Sequence, residues 1–203
     1  MKLYFLFLLM ATTTVLSPGP GVVMTLSNAL RFGLRGTVGG IVGIAVGAML
    51  VAAISATSLG ILLASSALAF TAMKYLGAAY LFYLAIRLWR APPFSFTAST
   101  THEAGFGRRL LEGLSLQLTN PKAIFFFLSV FPQFINPAQP YTQQFVTLVC
   151  TYSMLVMVIH FGYALCARRA KHWLQSVRGG RMLSKLSAGS YVFFGISLAS
   201  TQR

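Results

Sequence analysis

Acidic side chains are almost absent from this chain. Among 203 residues there is no aspartate, and Glu103 and Glu112 are the only carboxylates against 16 lysines and arginines. Charged residues make up 9% of the chain, where soluble domains carry about a quarter. A soluble globule must solvate its outer face. With 56% hydrophobic residues and a mean hydropathy of +0.73, that option is excluded. The composition is that of an integral membrane protein. Cysteine is scarce too: Cys150 and Cys166 have no histidine at metal-ligand spacing, so no metal site and no cofactor are expected. Without an acid pair, a metal cluster or a nucleophile beside a base, the chain is not expected to be an enzyme. The net charge of +14 would suit nucleic acid, but the basic residues form small clusters between apolar runs rather than one patch. No nucleic-acid partner is expected.

Long apolar runs are what the chain does have. A helix needs about 20 apolar residues to cross the hydrocarbon core, and six segments qualify: 3–30, 38–63, 68–88, 110–133, 141–167 and 183–201. The first is too long for the apolar region of a cleaved signal peptide. A turn is expected near Ser65 and Ser66, and Pro132, Pro137 and Pro140 mark the connection between the fourth and fifth spans. With six spans, 12 of the 16 basic residues fall on one side, from Arg31 and Arg35 through Arg87, Arg90, Arg108 and Arg109 to the run between Arg168 and Lys185. Lysine and arginine accumulate on the cytoplasmic side, so both termini are expected to face outward. These charges set topology and meet the headgroups of membrane lipids.

Residues 91–107, with Pro92, Pro93 and a Ser/Thr-rich stretch, read as a linker between two halves, 1–90 and 108–203, of a single transmembrane domain. Three spans per half make an inverted repeat. The fold class expected is therefore an all-α membrane protein of six transmembrane helices in two inverted three-helix repeats. Two internal matches fit. The segment from Lys74 to Tyr83 aligns with that from Lys185 to Phe194, and Leu16-Ser17-Pro18-Gly19-Pro20 aligns with Leu118-Thr119-Asn120-Pro121-Lys122.

The second match places a proline cluster in the first span of each half, 13 residues before Arg31 and 12 after Arg109. At about 1.5 Å per residue both lie near the middle of the bilayer. Proline has no amide donor, so the helices cannot continue unbroken there. Irregular backbone at that depth is tolerated only inside protein or beside a water-filled cavity, and paired interruptions in two halves point to a transport site. The candidate substrate-binding residues are Ser17, Pro18, Gly19, Pro20, Gly21, Asn120, Pro121 and Lys122.

Lys122 is the sharpest of them. A midplane ammonium costs at least about 2.5–3.5 kcal/mol, and its side chain is too short to snorkel out. It either holds broken helix ends by bonding freed carbonyls or pairs with a substrate carboxylate, and the two roles are compatible. Amides of Gly21, Val22 and Val23 open a half-helix suited to an α-carboxylate, with Ser17 and Thr14 adding hydroxyls. Freed carbonyls and the Asn120 side-chain oxygen are the acceptors available to an ammonium. The lack of an acid deep in any span favours a substrate without a cationic side chain. His160, the only histidine within a span, is either packing or the titrating group of proton coupling.

The Ser17-Pro18-Gly19-Pro20 element, the glycine-rich second span, the Asn120-Pro121-Lys122 element and Lys74-Tyr75-Leu76-Gly77-Ala78-Ala79-Tyr80-Leu81 together resemble the LysE/RhtB family of bacterial amino-acid exporters, over essentially the whole chain. The resemblance implies a multi-pass inner-membrane exporter of amino acids or close derivatives, driven by the proton motive force. Its second span, with Ala48-Met49-Leu50-Val51, is less polar than that of some relatives. The competing expectation is a non-transporting structural or regulatory membrane protein. It would bind a partner, or a second copy as a homodimer, through Gly36, Gly39, Gly40, Gly43 and Gly47, whose small-xxx-small spacing otherwise serves internal packing.

Overall fold

The computed structural model describes residues 2–17, 19–65, 67–90, 105–136 and 138–200. Pro18, Ser66, Pro137 and all of the expected linker except residues 105–107 lie outside them. Among the described residues every regular element is helical: α1 (Lys2–Leu16), α2 (Pro20–Ser65), α3 (Ala67–Arg90), α4 (Phe106–Leu118), α5 (Pro121–Phe125), α6 (Tyr141–Gln175) and α7 (Val177–Ser200). A π-helical turn, Phe126–Val130, and a 3-10 turn, Phe131–Phe134, continue α5. The segment expected as one span over 3–30 is thus two helices, parted at residues 17–19. The segment 110–133 is parted at Thr119 and Asn120.

The long α2 contains a sharp kink at Gly33, whose φ of 69° and ψ of −174° only glycine adopts readily. A straight helix would separate Met24 from Gly40 by roughly 24 Å. Instead the Met24 methyl lies 3.0 Å from the Cβ position of Gly40, and the Cβ position of Gly21 is 3.4 Å from Ile44. The two limbs, 20–32 and 34–65, therefore lie side by side as a hairpin. One glycine does the work expected of the connection over 31–37.

Gly39, Gly43 and Gly47 on the second limb face α4. A Cβ on Gly43 would collide with the Leu110 carbonyl, one on Gly47 would sit 2.7 Å from Gln117 Cβ, and one on Gly113 would strike the Gly40 carbonyl. These contacts advance together along both chains, so the limb and α4 run parallel at backbone contact. The glycine seam expected as either internal packing or a partner surface is covered by the chain's own α4. Arg109, expected among the topology-setting charges, is buried here: its Nη1 donates to the Gly36 carbonyl at 2.7 Å and its guanidinium lies 4.0 Å from the Phe32 ring centre. Glu112 pairs with Arg108 at the exposed surface.

The 35-residue α6 is the unbroken counterpart of the divided first segment. Along its length Thr151 meets Tyr4, Tyr163 meets Leu16, and Ala164 and Ala167 pack among Val22, Leu26 and Ala29. The rod thus runs beside both α1 and the first limb of α2. Phe7, Phe126, Phe127, Phe131, Phe134 and Tyr152 form an aromatic core between α1, the continuation of α5, and α6, with ring centres 4.8 to 6.3 Å apart. Phe126 and Phe127 are buried in this core, whereas Phe125 stacks on Tyr80 at 3.8 Å. On the opposite flank α3 and α7 pack antiparallel, with Lys185 over Trp89 and Gly195 against Phe82.

The outer surface is apolar. Phe5 (70% exposed), Ile54 and Leu165 are among many large hydrophobic side chains pointing away from the protein, far more than a soluble monomer presents to water. By length and composition, Tyr141–Ala167 can cross a membrane as one helix, the likewise apolar Pro20–Ala56 is folded at Gly33 into its two limbs, and Leu3–Leu16 and Ala78–Arg87 are shorter apolar stretches.

Candidate functional site

A helix carbonyl normally accepts from the amide four residues on. Position 18 is proline, so the Thr14 carbonyl has no such donor; proline at 20 orphans Leu16, and proline at 121 orphans Gln117. Each is answered. Lys122 Nζ donates to the Thr14 carbonyl at 2.9 Å. Tyr163 Oη donates to the Leu16 carbonyl at 2.6 Å, and the Asn120 amide donates to the Gln117 carbonyl at 3.2 Å. The first two donors come from other elements, α5 and α6, so the first break is sealed by the second half of the chain.

Lys122 Nζ also donates to the Ser17 carbonyl at 2.9 Å and lies 3.3 Å from Ser17 Oγ. All three ammonium protons are thereby engaged by oxygens at the end of α1. Gly19 permits the approach: a Cβ there would stand 3.3 Å from Nζ. Ser17 Oγ in turn lies 2.8 Å from the Thr14 carbonyl and 3.0 Å from Tyr191 Oη of α7. Ser17 and Tyr191 are both buried. The two breaks expected to share a site are thus in direct contact through Lys122, with α7 closing the cluster.

At the second break the local sequence explains the geometry. Asn120 is the N-cap of α5 and Pro121 its first residue, a favoured pairing because proline gives up an amide that the helix start leaves unpaired anyway. Asn120 Oδ1 accepts from the Lys122 amide at 3.1 Å, and Nδ2 donates to Gln117 Oε1 at 3.3 Å. That capping bond uses one of the two acceptor positions of the Asn120 oxygen. On the other side of the junction, the Val23 amide already donates to the Gly19 carbonyl at 3.0 Å, so it is not one of the open donors at the start of α2.

His160 is buried, with Nδ1 2.7 Å from Thr25 Oγ1. Gly21 makes room for the imidazole, since a Cβ would sit 3.2 Å from His160 Cε1. Two residues of the cluster, Tyr163 and Tyr191, are absent from the sequence expectations. Tyr191 was visible only as the partner of Tyr80 in the internal match, and Tyr163 only as a residue one helical turn from His160. Pro18 itself lies outside the described residues. Among the described residues no group of metal-ligating side chains occurs, and Cys150 and Cys166 are exposed free thiols.

Paired interruptions of membrane helices recur in secondary transporters. The chain is a member of the LysE type translocator family, whose description fits residues 12–202. It is 35% identical over 199 residues to the homoserine/homoserine lactone efflux protein of Salmonella typhimurium, covering 98% of this chain and 97% of that one. A membrane protein of Vibrio cholerae serotype O1, named as uncharacterized, is 34% identical over 196 residues, with 97% and 96% covered. The leucine efflux protein of Salmonella choleraesuis is 34% identical over 140 residues, 68% of this chain and 66% of the relative. No solved structure matches the chain.

Proposed function

We propose that this protein is a secondary exporter of neutral amino acids or close derivatives across the bacterial inner membrane. In this reading six spans form two inverted repeats, 1–90 and 108–203, joined by the linker 91–107, with both termini in the periplasm. The packing directions support the arrangement: the second limb of α2 runs parallel to α4, α1 runs parallel to α6, and α3 opposes α7. Substrate is bound at the junction of the two breaks, by Ser17, Pro18, Gly19, Pro20, Gly21, Asn120, Pro121 and Lys122. Rocking of one repeat against the other exposes the junction alternately to each side.

The observation that carries the reading is the bridge from Lys122 to the Thr14 and Ser17 carbonyls. Polar backbone and a cation meet where two helices are interrupted, and an ionisable group at such depth is costly to place and marks a substrate pathway. The relatives narrow the substrate. The names homoserine, homoserine lactone and leucine efflux describe small amines without a cationic side chain, in keeping with a chain that carries no acid deep in a span. The proton motive force drives export, with His160 as the titrating group. Replacing it by glutamine then flattens the pH dependence of efflux, and an unaltered pH profile assigns the histidine to packing.

The test of the reading is counterflow in proteoliposomes loaded with unlabelled amino acids. Labelled homoserine or leucine accumulates transiently if it is correct, and no counterflow across a panel of neutral amino acids overturns it. The alternative, a partner-binding protein using the glycine-rich helix, is disfavoured because α4 of the same chain already covers that face.

A further inference from the structure

We infer that the Lys122 ammonium is a resident stand-in for the ammonium of the substrate: it occupies the ligand's amine subsite in the empty protein and is exchanged for the ligand during transport. This rests on the exporter reading and specifies what its site recognises. The reasoning starts from covalent chemistry. Proline at position 18 has no amide proton in any conformation, so the Thr14 carbonyl cannot recover a helical partner however the protein moves. The Ser17 carbonyl stands in the same gap. With Ser17 Oγ they present three oxygens to one nitrogen, at 2.9, 2.9 and 3.3 Å. Such a tripod matches the three donors of a primary ammonium. Lys122 fills it at the end of a flexible four-carbon stem that can withdraw, and the flank at Gly19 carries no side chain.

If the junction opens, the Thr14 carbonyl keeps only the Ser17 hydroxyl as donor, the Ser17 carbonyl loses its ammonium donor, and the tripod is open to another ammonium. The α-ammonium of an amino acid supplies the same three protons. Lys122, displaced by a few ångströms, then faces the carboxylate of the same molecule. The amine is therefore the obligatory feature of the ligand, and the carboxylate is an auxiliary one read by Lys122. Ligands that keep the amine but lack the carboxylate, such as amino-acid amides, esters and lactones, still enter the subsite. Acids in which a hydroxyl replaces the amine do not, because they leave the carbonyls under-donated.

Competition in the counterflow assay tests this on the wild-type protein, with analogues of whichever of homoserine or leucine is moved. The amide competes within about tenfold of the parent amino acid, whereas the 2-hydroxy acid is weaker by roughly a hundredfold or more. The N,N,N-trimethyl derivative, which has the charge but no N–H, is as weak as the hydroxy acid. In Lys122→Met the parent loses its advantage and falls to the level of the amide. Should that variant fail to insert, the wild-type ranking alone decides. Counterflow of the amino acid with hydroxy acid and amide in the reverse order overturns the exchange while leaving the exporter reading intact. Absence of counterflow for every amino acid overturns both.

Discussion

At the scale of single residues, three prolines delete three amide donors, and the molecule supplies substitutes, two from other helices and one from the adjoining turn. Tyr163 is the simplest to probe, because its hydroxyl makes one bond, to the Leu16 carbonyl. Tyr163→Phe is expected to cost about 1 kcal/mol, the net worth of one hydrogen bond, seen as a lowered thermal midpoint in detergent with the fold retained. An unchanged midpoint would mean that the carbonyl finds another donor. The prolines and Lys122 were legible in the sequence because a missing N–H and a midplane charge are problems visible in the covalent structure alone. Tyr163 and Tyr191 were not, since a tyrosine in an apolar helix looks the same whether its hydroxyl meets a freed carbonyl or a headgroup. Asn120 was legible as a polar residue beside a proline, yet its role as a cap depended on α5 beginning at Pro121, which only the fold shows.

At the scale of elements, glycine does two different things. Gly33 turns α2 back on itself in a backbone conformation that costs other residues about 1–3 kcal/mol. Gly33→Ala is therefore expected to destabilise the protein by that amount in denaturation measurements, although no neighbouring atom lies within 4 Å of the new Cβ. Gly43 has an ordinary conformation but no space, because a methyl group there meets the Leu110 carbonyl. Gly43→Ala is expected to cost about 1–3 kcal/mol through forced separation of α2 and α4. The control Gly162→Ala, with nothing within 4 Å, should be neutral or gain up to about 1 kcal/mol from helix propensity. Equal effects at 43 and 162 would contradict the internal seam. The sequence spacing established that a close-packed face exists but not what covers it, since small-xxx-small patterns serve partners and neighbours alike. The break inside the span expected over 3–30, by contrast, was legible from Pro18 and Pro20, which remove amide donors, although hydropathy alone is blind to it.

At the scale of the whole molecule, the proposed topology puts the loop around 135–140 and the stretch between α6 and α7 on opposite sides of the membrane. In a background lacking Cys150 and Cys166, a cysteine at Gln139 should react with an impermeant maleimide in intact cells, and one at Arg178 only after permeabilisation. Labelling of both from the same side would contradict the topology. The central claim is that the two helix breaks meet at Lys122 to form the transport site, and counterflow by Lys122→Met protein in proteoliposomes, with insertion verified, tests it most directly. Loss of the ammonium should lower counterflow of the amino acid that the wild type moves by up to about tenfold, to the level of its amide. Counterflow at the wild-type rate would contradict it.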